Sequence, residues 1–123
     1  MSKPSVTSMR ITQLVQRFIE IGVAQADALD AFDTRKFNRL YDRKAEIVNE
    51  LRARPGDQRR VLLTLFNHPN MQVRLNAAKS TLAVAPQEAR AQLRAIQESQ
   101  RFPQAGDAGM SLWNLEKGHF RPE

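Results

Sequence analysis

The chain of 123 residues contains no cysteine. Disulfides, thiolate metal sites and cysteine nucleophiles are excluded by that alone. Histidine is almost as scarce, with only His68 and His119. They lie far apart and in neither a His-x-x-His nor a Glu-x-x-His arrangement, so zinc finds no ligand set. Glycine is sparse too, at five residues. Gly106 and Gly109 are isolated and neither precedes a Gly-Lys pair, so no phosphate-cradling loop is present. Ser80 and Thr81 fall inside a helical pattern without a Gly-x-Ser-x-Gly turn, which leaves a catalytic triad unsupported. No apolar run approaches the roughly 18 residues that span a bilayer. The segment Met1–Ser8 is not followed by the apolar core of a signal peptide, and a cytoplasmic location is expected. Period-two alternation is absent over any strand-length stretch.

What is present is charge and helical periodicity. Hydrophobic residues make up 41% and charged residues 26% of the chain, ordinary globular proportions. The length predicts one domain, residues 1–123, able to bury well over half of its unfolded surface. Within it, residues 1–7 are expected to be a disordered N-terminus and 119–123 a tail. The formal net charge is +6, and the excess is local. Residues 34–60 hold nine basic and four acidic residues, whereas 86–123 hold five of each. A basic middle attracts acidic partners, whether protein or nucleic acid.

Six helices follow from the apolar spacing. The first spans about Ser8 to Asp30, with Ile11, Leu14, Val15, Phe18, Ile19, Gly22, Val23, Ala26 and Leu29 on one stripe. Asp33 caps a second, Thr34 to Ala53, whose stripe is Phe37, Leu40, Tyr41, Ile47, Val48 and Leu51. Pro55 and Gly56 break the chain, and Asp57 is placed to cap a short third helix, Gln58 to Asn67, with Val61, Leu62, Leu65 and Phe66 inside. Asn70 caps a fourth helix running to about Ala85. Pro86 opens a fifth, to about Gln100. Phe102 to Gly106 reads as a loop, and Asp107 as the cap of a last helix ending at Gly118. The connections are short, which predicts an all-α fold of antiparallel helical hairpins.

The run Asp57–Val84 resembles one HEAT or armadillo unit. It comprises a short helix, a turn, and a second helix opening with Asn70, Val73 and Arg74, with Ala77, Ala78 and Leu82 on its packing face. At a closer level most of residues 8–122 is similar to a family of small bacterial helical domains without assigned function. The matching words are Asp33-Thr34-Arg35-Lys36 through Asp42, His68-Pro69-Asn70 through Ala78, and Gly106-Asp107-Ala108-Gly109-Met110-Ser111-Leu112-Trp113. The resemblance implies a HEAT-like superhelix and carries no catalytic residues. It makes Arg74 a structural bond to the turn of a neighbouring unit. Helical-repeat relatives include toxin-neutralising immunity proteins.

Candidate functional residues come from the basic middle. Arg35, Arg39 and Arg43 stand one helical turn apart, and Lys36, Arg52, Arg54, Arg59 and Arg60 could extend them into an anion-binding ridge. Asp42, Glu46 and Glu50 interrupt it, and no aromatic interleaves it to stack bases. Asp42 and Glu46 are read as a solvated face and not as an acid–base pair. Lys44 falls within the apolar stripe of the second helix. It must snorkel, pair with a carboxylate such as Glu20, or border a groove. Trp113, with Met110, Leu112 and Phe120, is expected to close the C-terminal end of the core; the alternative is a partner anchor. The expectation is a non-enzymatic module without cofactor or metal. It binds an acidic protein through Arg35, Arg39, Arg43, Lys44, Arg59, Lys79 and Trp113, with nucleic acid as the alternative ligand and no membrane partner.

Overall fold

A computed structural model describes residues 5–123. Its elements are a 3-10 turn at Val6–Ser8, then α1 (Ile11–Asp30), α2 (Thr34–Ala53), a 3-10 helix at Gln58–Asn67, α3 (Met71–Ser80), α4 (Pro86–Glu98) and α5 (Gln104–Glu116). No strand occurs among the described residues. The helices pack as neighbouring pairs: α1 with α2, α3 with α4, and α4 with α5. No helix is long and apolar enough to cross a membrane. The chain forms two compact units that divide between Val61 and Leu62.

In the first unit, α1 ends in a Schellman turn. The Asp33 N–H donates to Ala28 O at 2.8 Å and the Phe32 N–H to Leu29 O at 3.1 Å. This geometry puts Phe32 in the left-handed region, at φ 54°. Glycine is the usual residue there, and a bulky residue such as phenylalanine costs roughly 1–2 kcal/mol. Asp33 also caps α2, since its Oδ1 accepts from the Lys36 N–H at 3.1 Å. One residue thus closes α1 and opens α2, and α2 has the bounds its sequence predicts.

The buried set of α1 is Leu14, Phe18, Ile21, Gly22, Gln25 and Ala28. This stripe is rotated from the expected one. Ile19, Ala26 and Leu29 are half-buried, and Val23 is exposed. Apolar residues cover so much of this helix's circumference that hydropathy alone does not locate its centre, which holds a polar Gln25. In α2 only Ile47 and Leu51 are fully buried, and Tyr41 is exposed.

The stretch of residues 1–7, expected to be a disordered N-terminus, is described only from Ser5. Residues 1–4 lie outside the described residues. From Ser5 onward the chain is ordered into the 3-10 turn, and Ser5 caps it. Arg54 holds this segment: its guanidinium donates to Val6 O at 3.1 Å and Met9 O at 2.7 Å, and pairs with Glu50. Gly56, at φ 80°, turns the chain after Pro55 as expected.

The expected third α-helix is a 3-10 helix instead. Its buried residues are Arg59, Leu62 and Leu65, a spacing of three. Side chains at i and i+3 eclipse in a 3-10 helix, so this period suits three residues per turn better than 3.6. Val61 and Phe66, expected inside, are half-buried.

In the second unit, Asn70 caps α3, its Oδ1 accepting from Gln72 N at 2.9 Å and Val73 N at 3.2 Å. The helix stops at Ser80 and not near Ala85. Thr81, fully buried, turns its hydroxyl back to Ala77 O and Ala78 O, and the chain continues as a turn to Pro86. Leu75, Ala78, Leu82, Ala89, Leu93, Ile96 and Ala108 form the core of this unit. Helix α5 begins at Gln104, three residues before the expected cap. Gln104 is buried and donates to Gln72 Oε1 at 3.0 Å, while Gln72 donates to Asn76 Oδ1 at 2.9 Å. That amide chain fastens the first turn of α5 to α3. Asp107, freed from capping, accepts from Lys79 Nζ at 2.9 Å.

The Arg54 guanidinium satisfies two backbone carbonyls and a carboxylate. Arg54→Ala is expected to lower the unfolding free energy by about 2 kcal/mol in urea titration. Arg54→Lys, which lacks the planar fork, recovers less than half of that loss.

Candidate functional site

Helix α2 carries Arg35, Arg39 and Arg43 at four-residue intervals, an advance of about 6 Å between neighbours. All three are exposed. None forms an ion pair among the described residues, and neither do Asp42 and Glu46 on the same helix. Lys44 is half-buried, and its Nζ lies 4.4 Å above the centre of the Tyr41 ring. The stem crosses the apolar stripe while the ammonium rests on an exposed aromatic face.

Beside these residues the first unit has an open cleft of about 530 Å³. Apolar lining comes from Val6, Met9, Ile21, Ala24, Leu40 and Ile47, and charged lining from Arg17, Glu20, Arg43 and Glu46. Arg17 and Glu20 approach to 3.7 Å. Arg43 therefore belongs both to the arginine row and to the cleft. Arg17 was not a candidate from the sequence, and Glu20 entered only as a carboxylate that Lys44 could pair with. They lie on the polar side of α1 by periodicity, and only the way α1, α2 and the ordered 3-10 turn come together makes them line a cleft.

The remaining sequence candidates are placed differently. Arg59 is 7% exposed, and its guanidinium grips Asp57 through Nε at 2.9 Å and Nη2 at 2.7 Å. The bond to Arg59 holds the Asp57 carboxyl below its ordinary value, against an opposing effect of burial. Lys79 is occupied by Asp107. Arg74 is structural, but its partner is a side chain on α4 and not a turn. In the amide orientation that satisfies both groups, Gln92 O accepts from Arg74 Nε at 2.9 Å and Nη2 at 3.1 Å. Trp113 does not close the core. It is 48% exposed, with Met110 and Phe120 also exposed and the His119 ring 5.2 Å away. The buried face of α5 is instead made by Gln104, Ala105 and Ala108. His68 is a turn residue whose Nδ1 accepts from the Asn70 N–H at 3.0 Å. Among the described residues no group of three or more histidines and carboxylates is placed to hold a metal ion.

A family model described as a domain of unknown function, DUF2019, matches residues 12–116. The fold is similar to that in the crystal structure of the protein RPA1889 from Rhodopseudomonas palustris CGA009. The TM-score is 0.95 at 55% sequence identity, over 98% of this chain and 100% of that one. No match was found among curated proteins.

The Asp57–Arg59 pair gives a pH dependence of known sign. A carboxyl depressed in the folded state contributes stability that is present above its unfolded value, near 3.8, and is lost as pH falls through the folded value. Asp57 has φ 50°, which asparagine also tolerates, so Asp57→Asn removes the charge and keeps the backbone. The variant should be less stable than the parent at pH 7, and in thermal melts the gap should close as pH falls through the depressed folded-state value of Asp57.

Proposed function

The chain belongs to the DUF2019 family, and from that premise we propose that it is a non-enzymatic, cytoplasmic protein-interaction module whose α2 surface binds an acidic protein. In this reading the helix pairs continue the HEAT-like superhelical arrangement, a scaffold that presents one helix face to a partner. The observation that carries it is the row Arg35, Arg39 and Arg43, exposed and without ion pairs among the described residues. Arg54, Arg59 and Lys79 have intramolecular carboxylates; this row has none.

Unpaired surface arginines raise association rates with an acidic partner and set its orientation, but each exposed pair adds at most about 1 kcal/mol. Affinity needs apolar burial as well. The cleft next to Arg43 offers it, with Leu40 and Ile47 from α2 and Met9 and Ile21 facing the same space. A partner side chain of apolar character with a carboxylate beside it suits both features. In its most specific form the partner is an acidic toxin and the chain its immunity protein. Nucleic acid is the alternative ligand for the same row.

Tagged protein would be used to capture partners at about 50 mM salt from an extract of the organism that encodes it. The parent should retain a specific acidic protein, and Arg39→Glu with Arg43→Glu should reduce its recovery at least tenfold. Equal recovery by the double variant overturns the proposal. So does an extract that yields no protein while a labelled duplex binds the parent with a steep salt dependence.

A further inference from the structure

Phe32 is 93% exposed, the most exposed large hydrophobic side chain among the described residues. It is also one of three non-glycine residues with positive φ among the described residues, the others being Asp57 and Gln100. Asp57 uses its side chain there to bind Arg59. Phe32 occupies the position after α1 where glycine closes a Schellman turn without strain. A bulky aromatic in that place helps neither the turn nor a core. A lone exposed hydrophobic residue needs no explanation. One held in a disfavoured backbone conformation with its ring in solvent has two costs and no return inside the molecule, and such outliers point to function.

The surroundings suggest what the ring meets. Arg35 is three residues along the chain, so their Cα atoms are within about 11 Å of each other. Lys36 and Arg39 follow on the first two turns of α2, and all three are exposed. Asp30 and Asp33 are the nearby acids, and Asp33 is engaged with the Lys36 N–H. A partner spanning about 800 Å² on this side would cover Phe32 and the first arginines together. Aromatic residues anchor such interfaces, and surrounding charges orient them.

We propose that Phe32 is the apolar anchor of the α2 surface and packs against the apolar side chains of an acidic amphipathic segment on the partner, whose carboxylates meet Arg35, Lys36 and Arg39. The proposal rests on the reading of α2 as an acidic-protein surface and names the kind of segment that surface takes.

The probes are two fluorescein-labelled peptides of about 15 residues and equal charge, one of glutamate and leucine and one of glutamate and serine, followed by anisotropy at about 50 mM salt. The parent should bind the leucine peptide about tenfold more tightly than the serine peptide. Phe32→Gly should abolish that preference, leave binding of the serine peptide unchanged, and melt at the same temperature or a few degrees higher as the turn relaxes. Phe32→Leu should keep most of the preference. Arg39→Glu with Arg43→Glu should weaken both peptides. If Phe32→Gly retains the preference, or lowers the melting temperature by several degrees, the anchor is overturned. An unbound leucine peptide overturns it too. If the arginine variant leaves both peptides bound as before, the charge-based reading of α2 fails instead.

Discussion

The turn from Ala28 to Asp33 is the constraint on which the first unit depends. Two backbone hydrogen bonds close α1, and the Asp33 carboxylate opens α2 a single residue later. No slack remains between the helices. The register of α2 against α1 is thereby set, and with it the row of arginines, the cleft lined by Ile21 and Ile47, and the position of Phe32. The cost is a left-handed Phe32, roughly 1–2 kcal/mol relative to a residue that takes the conformation freely.

Charge in this chain divides into two populations that composition does not distinguish. Arg54, Arg59 and Lys79 are fasteners, each holding a carboxylate, and Arg54 two carbonyls as well. Arg74 joins them through an amide on α4. Arg35, Arg39 and Arg43 hold nothing among the described residues. Each ion pair of a fastener with its carboxylate sums to zero, so the net charge of +6 comes from residues outside these pairs. On α2, Arg35, Lys36, Arg39, Arg43 and Arg52 all face outward. Buried or well-positioned guanidinium groups contribute to stability through hydrogen bonds, whereas exposed ones mainly shape the field that an approaching partner feels.

Much of the fold was legible because its punctuation is explicit. Asp33, Asn70 and Pro86 open their helices where they were expected to, and α2 keeps its full expected span. The departures have tertiary causes. Thr81 ends α3 early by turning its hydroxyl onto the preceding carbonyls, a choice a helical window does not reveal. Gln104 starts α5 early because Gln72 and Asn76 wait for it on α3. The period of three in Arg59, Leu62 and Leu65 was present in the sequence, but an arginine among the buried positions hid it. For the site, the spacing of Arg35, Arg39 and Arg43 was readable, whereas their freedom from ion pairs was not. The cleft and the exposure of Trp113 required the packing itself.

The central claim is that α2 and the turn before it form a binding surface for an acidic amphipathic segment. Its most direct test is a residue-by-residue map of backbone amide shifts in the ¹⁵N-labelled chain during titration with the glutamate–leucine peptide. Shifts clustered from Ala31 through Ile47, with Phe32, Arg35 and Arg39 among the largest, are the expected result. Shifts confined to α3, α4 and α5, or spread evenly over every exposed lysine and arginine, would contradict it.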